Sequence, residues 1–453
     1  MELFEQLTSG EDSQIRRRRT DSPIPLTVLQ RVTWNYLTDR ARLSQRLRAA
    51  SFWILGPLDT GVLRACLEAV IQRHESLRTR IFTDNGALRQ HIDSPSAYDL
   101  KQINLCKMDR SSASIEAGRL AQGFLDEKID LSVGPLLDVV LFKISGLEYV
   151  LVIGLDHIVS DNVSCEILKR EIWNLYGQAS RGVQFSLPEL PIQFADYAVW
   201  QQQEDAGWVT KHADYWRGRL VGTPLICRSW LEEAEEPPHT LGSILHVPFG
   251  RGLTAGLKAL AEREQRPLPL VVLAVYILGI SRWRCRREFV LGFTTHGRHH
   301  QPELHGMIGC LAYHLYLRIE VPRRSSFIDL LMDVSREFYA AREHSDCGRL
   351  CEMLPGCLSS LVFNWLSTRW TQTLGSYEEK LDGIKIFPFG TKWRISPLEL
   401  YAFFSETAAG IGASIYFRND IFPIEDVNRF GESLRSLASQ VVENPLALVS
   451  SGS

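Results

Sequence analysis

The stretch VLVIGLDHIVSDNVSCEILKREIWNLY, from Val150 to Tyr176, joins an apolar run to a polar turn and then to a helical pattern. The apolar run predicts a buried strand, and the apolar spacing from about Val163 onward predicts a helix. The turn between them is rich in polar side chains, namely Asp156, His157, Ser160, Asp161 and Asn162. A turn that joins a strand to a helix holds reactive groups on a rigid frame, so these residues are the candidate site.

The geometry of a strand restricts what this turn can do. Successive side chains of a strand point to opposite faces. Of Asp156 and His157, one is therefore expected to face a cleft and the other to face the packed interior. His157 precedes Asp161 by four residues, and the turn can bring these two side chains together. Asn162 stands where the helix begins, and asparagine tolerates positive φ, so a tight turn is expected there. From the spacing alone, a structural histidine is more frequent than a catalytic one.

The overall composition is that of a globular protein with more than one domain. The chain has 453 residues, 45% hydrophobic and 23% charged, and a domain takes about 100–200 residues. The formal net charge of −3 provides no basic field for nucleic acid. The sequence contains neither an apolar run of the ~18 residues that span a membrane nor a signal-type segment. Nine scattered cysteines without CxxC pairs are typical of free thiols in a reducing cytoplasm.

Changes of composition along the chain predict two α/β halves in tandem. Residues 1–20 are expected to form a disordered tail, in which the RRRR run from Arg16 to Arg19 is a solvated arm. Residues 21–178 form the first half and contain a predicted β-hairpin, PLLDVVLFKI and EYVLVIGL, hinged at Ser145-Gly146. Residues 179–192 are polar, contain prolines and are the predicted linker. Residues 193–453 form the second half.

The segment DHIVSDN, Asp156 to Asn162, resembles the HHxxxDG motif of the condensation domains of nonribosomal peptide synthetases. That family shares the motif with chloramphenicol-type acyltransferases. His157 and Asp161 match the second histidine and the aspartate, whereas Asp156 and Asn162 replace the first histidine and the glycine. The resemblance continues in the family's order from about residue 23 to 446, through PLTVLQRVTW, RHESLRTRIF, FADYAVWQQQ, ADYWRGRL, GRHHQPELHGMIGCLAYHLYLRIEV and YFRNDIF.

The resemblance implies an α/β fold of two chloramphenicol-acetyltransferase-like lobes that form a V with a central tunnel. It implies that donor and acceptor enter on phosphopantetheine arms of acyl or peptidyl carrier proteins, with no cofactor bound to the chain itself. His157 would lie in the tunnel as the catalytic base, and Asp161 would be a structural anchor paired with Arg298. The expected protein is a free-standing cytoplasmic monomer that acts in trans in nonribosomal peptide or hybrid polyketide biosynthesis.

Departures from the family's motifs leave two alternatives open. DHIVSDNVS also fits DxxxxDxxS, the motif of heterocyclization domains, with Asp156, Asp161 and Ser164. Loss of the first histidine and of the glycine is typical of a non-catalytic member that recruits a partner enzyme to a carrier protein. On the acceptor side, Tyr313 stands where the family has asparagine, and HSDCG replaces the HQDxPF motif. Possible substrate contacts are Ser160, Ser164 and Tyr313.

One further cluster of metal-ligating residue types occurs near the degenerate HSDCG segment. It consists of His344, Cys347, Cys351 and Cys357. Zinc sites favour paired, tighter spacings. Ordinary packing is therefore the interpretation we favour for this cluster, and no metal site is predicted.

Overall fold

Three β-sheets organise the described part of the chain. The structure is a computed structural model, and it describes residues 14–19, 23–38, 46–127, 130–134, 136–184, 186–223, 242–298, 301–345, 348–354, 361–366, 381, 383–390 and 399–448. The strands are β1 (Ile24–Pro25), β2 (Arg46–Leu55), β3 (Thr79–Asp84), β4 (Ala87–Ile92), β5 (Lys101–Asn104), β6 (Leu137–Lys143), β7 (Glu148–Asp156), β8 (Gly242–Pro248), β9 (Glu288–Thr295), β10 (Tyr313–Glu320), β11 (Leu361–Leu366), β12 (Lys385–Pro388), β13 (Leu400–Thr407) and β14 (Gly410–Arg418).

The α-helices of the described residues cover the faces of these sheets. They are α1 (Val28–Thr38), α2 (Thr60–Arg73), α3 (Arg110–Asp126), α4 (Asn162–Ser180), α5 (Phe194–Leu220), α6 (Gly250–Arg263), α7 (Leu268–Arg284), α8 (Phe327–Glu343), α9 (Leu350–Met353) and α10 (Ile424–Glu443). The alternation of helices and strands confirms the predicted α/β class.

A five-stranded sheet, in the order β12-β2-β7-β6-β5, carries the opening stretch. The predicted hairpin is confirmed as the antiparallel pair β6 and β7. Helices α2 and α4 pack together over one face, where the apolar stripe of α2 is buried, and α3 contacts β2 and β7. Asp59 caps the start of α2, because its carboxylate accepts hydrogen bonds from the amides of Gly61 and Val62. The polar turn is thereby attached to a buried strand and a buried helix.

A six-stranded sheet, in the order β10-β9-β11-β13-β14-β8, organises the later part of the chain. One of its faces packs on α6, α7, α8 and α10 and forms the largest apolar core. Helix α7 is buried on all sides from Leu270 to Ser281, as its continuous apolar sequence requires. The other face carries polar and aromatic side chains, among them His314 and Tyr401. A third sheet, in the order β1-β4-β3, is antiparallel.

Two features of the chain differ from the sequence prediction. The segments FADYAVWQQQ and ADYWRGRL, which are expected to form separate helices, lie on a single helix, α5. The expected solvated arm is found only in part for residues 14–19. Arg16, Arg17 and Arg19 are exposed, but Ile15 is buried, Arg17 donates to the main-chain oxygens of Leu190 and Pro191, and Arg18 pairs with Glu75 and Asp196. The carboxylates and carbonyls that bind these arginines come from distant sequence. Residues 1–13 and 20 of the predicted tail lie outside the described residues.

The predicted division of the chain at residues 179–192 stays a prediction. These residues connect α4 to α5, but the later strand β12 pairs with β2 in the first sheet, with Phe387 opposite Trp53. A late segment therefore completes an early sheet. Among the described residues no single helix is long and apolar enough to cross a bilayer. Helices α6 and α7 taken together have the length and composition of a membrane span, but the chain bends by 110° between them.

A histidine pair joins α5 to the end of α8. His212 and His344 approach at 2.9 Å between their Nδ1 atoms, and the ring of Tyr215 stacks on His344 with 3.7 Å between centroids. Burial, and then the charge on His344, lower the pKa of His212 to about 4. The pKa of His344 is also lowered, chiefly by burial. One of the two rings must donate to the other, so the two facing Nδ1 atoms cannot both carry a proton in the folded protein.

This pair predicts a loss of stability in mild acid. The unfolded chain takes up protons on these histidines below their ordinary pKa of about 6.5, whereas the folded chain takes them up at lower pH. The free energy of unfolding should therefore fall as the pH drops from about 6.5 towards 4, and His212→Gln should reduce that slope. Urea unfolding at about pH 7, 6 and 5 measures both slopes. Equal slopes for the variant and the wild type would show that the pair is not the cause.

Candidate active site

The turn between β7 and α4 places Asp156 and His157 on different sides, as predicted. Asp156 is buried at the end of β7, and its carboxylate accepts a hydrogen bond from the amide of Ile158 at 2.9 Å. His157 begins a short 3-10 turn, His157–Val159, and its side chain is exposed. The expected positive φ at Asn162 is wrong, because this residue is the first of α4 and the helix requires negative φ.

His157 is held by the main chain rather than by Asp161. Its Nδ1 lies 2.8 Å from the carbonyl oxygen of Ser160. A carbonyl oxygen only accepts, so Nδ1 carries the proton and Nε2 of the neutral ring has a free lone pair. No hydrogen bond to Nε2 occurs within the described residues. The exposed ring therefore presents a base whose tautomer is fixed.

Asp161 and Arg298 form a buried ion pair across 137 residues of sequence. Arg298 binds the carboxylate through both terminal nitrogens, at 2.8 and 3.0 Å, and the two side chains are 0% and 1% exposed. Burial by itself raises the pKa of Asp161, but the charge and hydrogen bonds of Arg298, with hydrogen bonds from Ser164, outweigh it and lower that pKa. Asp161 is therefore ionised, and the pair that the resemblance implies is present.

Main-chain groups complete the surroundings of this ion pair. Oδ2 of Asp161 accepts hydrogen bonds from the amides of Leu311 and Ala312, and Oδ1 accepts one from the amide of Ser164. Arg298 also donates to the carbonyl oxygens of His296 and Met307. The pair thus ties the turn that carries His157 to the loop that leads into β10.

Gly297 allows this loop to reach the ion pair. Its φ is +68°, in the left-handed region, and a Cβ there would lie 1.9 Å from the carbonyl oxygen of Leu311. Any other residue would force the two backbone segments apart. Gly309 is similarly restricted, because a Cβ would lie 2.3 Å from the ring of Phe194. The GR and IG positions of the motif therefore serve close packing around Arg298.

The expected substrate contacts are occupied within the protein. Ser160 is buried and donates to the carbonyl oxygen of Asp156 at 2.7 Å. Ser164 is buried and contacts Asp161, Gly309 and Arg298. Tyr313 is 3% exposed, and its hydroxyl bonds to Ser345. In these positions the three side chains hold the site together through hydrogen bonds within the protein.

The structure also brings a second histidine towards His157. His314 lies on β10, two residues beyond Ala312, whose amide binds Asp161. The charge on His157 contributes to lowering the pKa of His314 to about 4, after burial as the larger cause. Sequence reasoning missed His314, and the signal was available in the alternation of YHLYLRIE, which places it opposite the apolar face of its strand.

No group of three or more histidine, cysteine or acidic residues that could hold a metal ion occurs among the described residues. Of the cluster considered from sequence, Cys347 and Cys357 lie outside the described residues, and His344 is bonded to His212.

Comparison with known proteins agrees with this geometry. The family model of the condensation domain matches residues 21–452. A linear gramicidin synthase of Brevibacillus parabrevis is 28% identical over 438 residues, and phosphinothricin tripeptide synthetase PhsC of Streptomyces viridochromogenes is 31% identical over 342 residues. These alignments cover 94% and 74% of this chain but only 8% and 31% of the two synthetases, so the chain spans a small part of each relative.

Solved structures show the same fold. The X-domain from teicoplanin biosynthesis has a TM-score of 0.82 at 21% identity, with 97% of this chain and 99% of that chain covered. The first condensation domain of the calcium-dependent antibiotic synthetase has a TM-score of 0.74 at 19% identity, with 95% and 98% covered. The fold is thus the chloramphenicol-acetyltransferase-like one that the resemblance implies. The chain belongs to the condensation domain family of nonribosomal peptide synthetases.

Proposed function

We propose that the chain catalyses condensation-type acyl transfer from a carrier-bound acyl thioester to an amine or hydroxyl acceptor. The observation that carries this proposal is the exposed His157, whose Nδ1 proton is bound to the carbonyl oxygen of Ser160 and whose Nε2 makes no hydrogen bond with any residue that the structure describes. Family membership supports the reaction class. The acyl group would be presented on the phosphopantetheine arm of a carrier protein, which is a substrate and not a resident cofactor.

The proposed step needs one proton acceptor and a fixed site. The acceptor's nitrogen or oxygen attacks the thioester carbonyl carbon while Nε2 of His157 takes its proton. The tetrahedral intermediate then collapses, the carbon–sulfur bond breaks, and the imidazolium returns the proton to the leaving thiolate. Asp161 and Arg298 do not exchange protons; their buried pair fixes the turn that carries His157. A thioester is already activated, so alignment of the reactants supplies much of the remaining acceleration.

A second candidate is recruitment of a partner enzyme to a carrier protein without catalysis. Two observations favour it: Asp156 and Asn162 replace family motif residues, and the fold matches the X-domain of teicoplanin biosynthesis, which has been solved in complex with OxyB. Heterocyclization ranks below both candidates. Its three motif residues, Asp156, Asp161 and Ser164, are buried and hydrogen-bonded within the protein.

Intact-protein mass spectrometry of a loaded carrier protein distinguishes these candidates. With a small panel of acyl-loaded carriers and amine or alcohol acceptors, we expect the acyl group to leave the carrier and an amide or ester to appear. Carrier binding without any transfer from the panel would favour recruitment instead. A product lighter by one water, from a cysteine or serine acceptor, would favour heterocyclization. A carrier lacking its phosphopantetheine arm is the matched control and should give no product.

A further inference from the structure

Four polar side chains form a hydrogen-bonded row across one face of the six-stranded sheet. They lie on adjacent strands in the order His314 on β10, Thr294 on β9, Asn364 on β11 and Tyr401 on β13. The opposite face of these strands forms the apolar core. Burying a polar group without a hydrogen-bond partner costs free energy, and each of these four side chains has a hydrogen-bond partner within the row.

The row has one direction in which every hydroxyl proton finds an acceptor. The amide nitrogen of Asn364 donates to the hydroxyl oxygen of Tyr401 at 2.9 Å. Tyr401 therefore gives its own proton to the hydroxyl oxygen of Thr294, 3.3 Å away. Thr294 in turn gives its proton to Nδ1 of His314, at 3.1 Å. In the reverse direction the Tyr401 proton would have no acceptor in this row.

This direction fixes the tautomer of His314. With Nδ1 accepting, the neutral ring carries its proton on Nε2 and presents a donor. His157 has the opposite tautomer, because its Nδ1 donates to Ser160 and its Nε2 accepts. The two imidazoles are thus complementary, one a base and the other a hydrogen-bond donor.

Both histidines belong to the same part of the molecule. Asp161, four residues after His157, binds the amides of Leu311 and Ala312, directly before β10. His314 follows on that strand and interacts electrostatically with His157. Burial and this interaction lower the pKa of His314 to about 4, so its ring is neutral near pH 7. Gly292 packs beside it, since a Cβ there would lie 3.5 Å from Cβ of His314 and 3.2 Å from Cγ2 of Val362.

We propose that His314 is a further catalytic residue, whose Nε2–H donates a hydrogen bond to the carbonyl oxygen of the thioester as negative charge develops there. The proposal rests on the acyl transfer proposed above, in which His157 accepts the proton of the nucleophile. A neutral imidazole serves this purpose, since its Nε2–H donates a hydrogen bond to the carbonyl oxygen and the ring keeps its proton throughout the reaction. Thr294 is a positioning residue, which holds the ring and its tautomer through Nδ1.

Removal of the donor tests the proposal. His314→Phe should lower kcat/KM for acyl transfer by roughly 10²–10³-fold, as loss of one oxyanion donor does. His314→Gln keeps an N–H group and should lose less. The matched control is His246→Phe, since His246 lies on the same face at the far edge of the sheet, bonded to Ser414. It should keep activity within about threefold of the wild type.

Thr294 distinguishes positioning from packing. Thr294→Val has the same shape without the hydroxyl. It should lower kcat by about tenfold or more, because the ring of His314 is then no longer held in one tautomer. Thr294→Ser restores the hydroxyl and should restore most of the activity. Equal activity of the Val and Ser variants would overturn the positioning role. All variants must unfold at the wild-type temperature. If the His314→Phe variant is destabilised, the activities of His314→Gln and Thr294→Val decide the outcome.

A measurement that needs no turnover separates this inference from the proposed function. Histidine ¹⁵N NMR at about pH 7 should show His314, assigned by its loss in His314→Phe, as the neutral Nε2–H tautomer. A charged ring or the Nδ1–H tautomer overturns the inference. Transfer that requires His157 but is unchanged in His314→Phe also overturns it, while the proposed function stands. A wild type that transfers nothing, despite the predicted tautomer, counts against both.

Discussion

Replacing Arg298 with alanine is expected to reduce the free energy of unfolding by roughly 3–5 kcal/mol. The guanidinium group lies with the Asp161 carboxylate in a fully buried position, where the two pair at 2.8 and 3.0 Å. The variant would leave the Asp161 charge buried with only neutral donors around it, which is far costlier than loss of an exposed ion pair. Urea unfolding followed by circular dichroism measures the change.

Two variants make this result specific. Arg119→Ala removes an exposed ion pair with Glu116 on α3 and should leave the unfolding midpoint nearly unchanged. Arg298→Met combined with Asp161→Leu removes both charges and should recover part of the loss, because no buried charge is left unpaired. If Arg298→Ala unfolds at the wild-type urea concentration, the pair does not hold the two segments together.

Replacing His157 with alanine is expected to lower kcat for acyl transfer by roughly 10²–10⁴-fold, the usual contribution of a general base. His157 is exposed, so its loss creates no cavity and should leave folding intact. It should also leave carrier binding unchanged, since the effect is confined to the chemical step. Steady-state transfer assays give kcat and KM, and calorimetry with an unloaded carrier gives Kd.

The matched control for this variant is His91→Ala. His91 is another exposed histidine, on β4 in the three-stranded sheet. It should keep wild-type kcat and Kd. A His157→Ala variant that loses carrier binding together with activity would instead indicate that His157 lies in the docking surface.

Much of the local structure could be predicted from the sequence, because it depends on short-range patterns. The capped helix that begins after Asp59 and the hairpin of β6 and β7 follow from apolar periodicity and turn residues. The segment ALRQHI predicts a short strand, and β4 has the same limits, Ala87–Ile92. Strand alternation predicts the separation of Asp156 from His157, although in the structure the strand ends at Asp156 and His157 begins a 3-10 turn. Each of these features is decided by neighbours along the chain.

The features that sequence reasoning missed depend on contacts between distant segments. Nothing in residues 383–390 indicates that β12 joins the first sheet, since a strand pairs by register with whichever edge the fold presents. Arg17 and Arg18 look like a solvated run until Asp196 and the Leu190 carbonyl are brought beside them. The proposed donor role of His314 depends on two hydroxyl groups and one side-chain amide from three other strands, which only the sheet aligns.

The role of the Asp161–Arg298 pair came from resemblance and not from composition or spacing. Its partners are 137 residues apart, and only the known family motifs suggest the pairing. The structure adds what the motif does not contain: main-chain amides from Leu311 and Ala312 bind the same carboxylate. The motif aspartate therefore organises both the turn that carries His157 and the strand that carries His314.

The most direct test of His157 as the base is the rate of a single turnover. Wild-type protein and the His157→Ala variant, each in excess over an acyl-loaded carrier and saturated with acceptor, are quenched at increasing times, and the remaining loaded carrier is measured by mass spectrometry. Excess protein isolates the chemical step from product release. We expect the variant to be at least about 10²-fold slower. Equal single-turnover rates would contradict the role of His157 in catalysis.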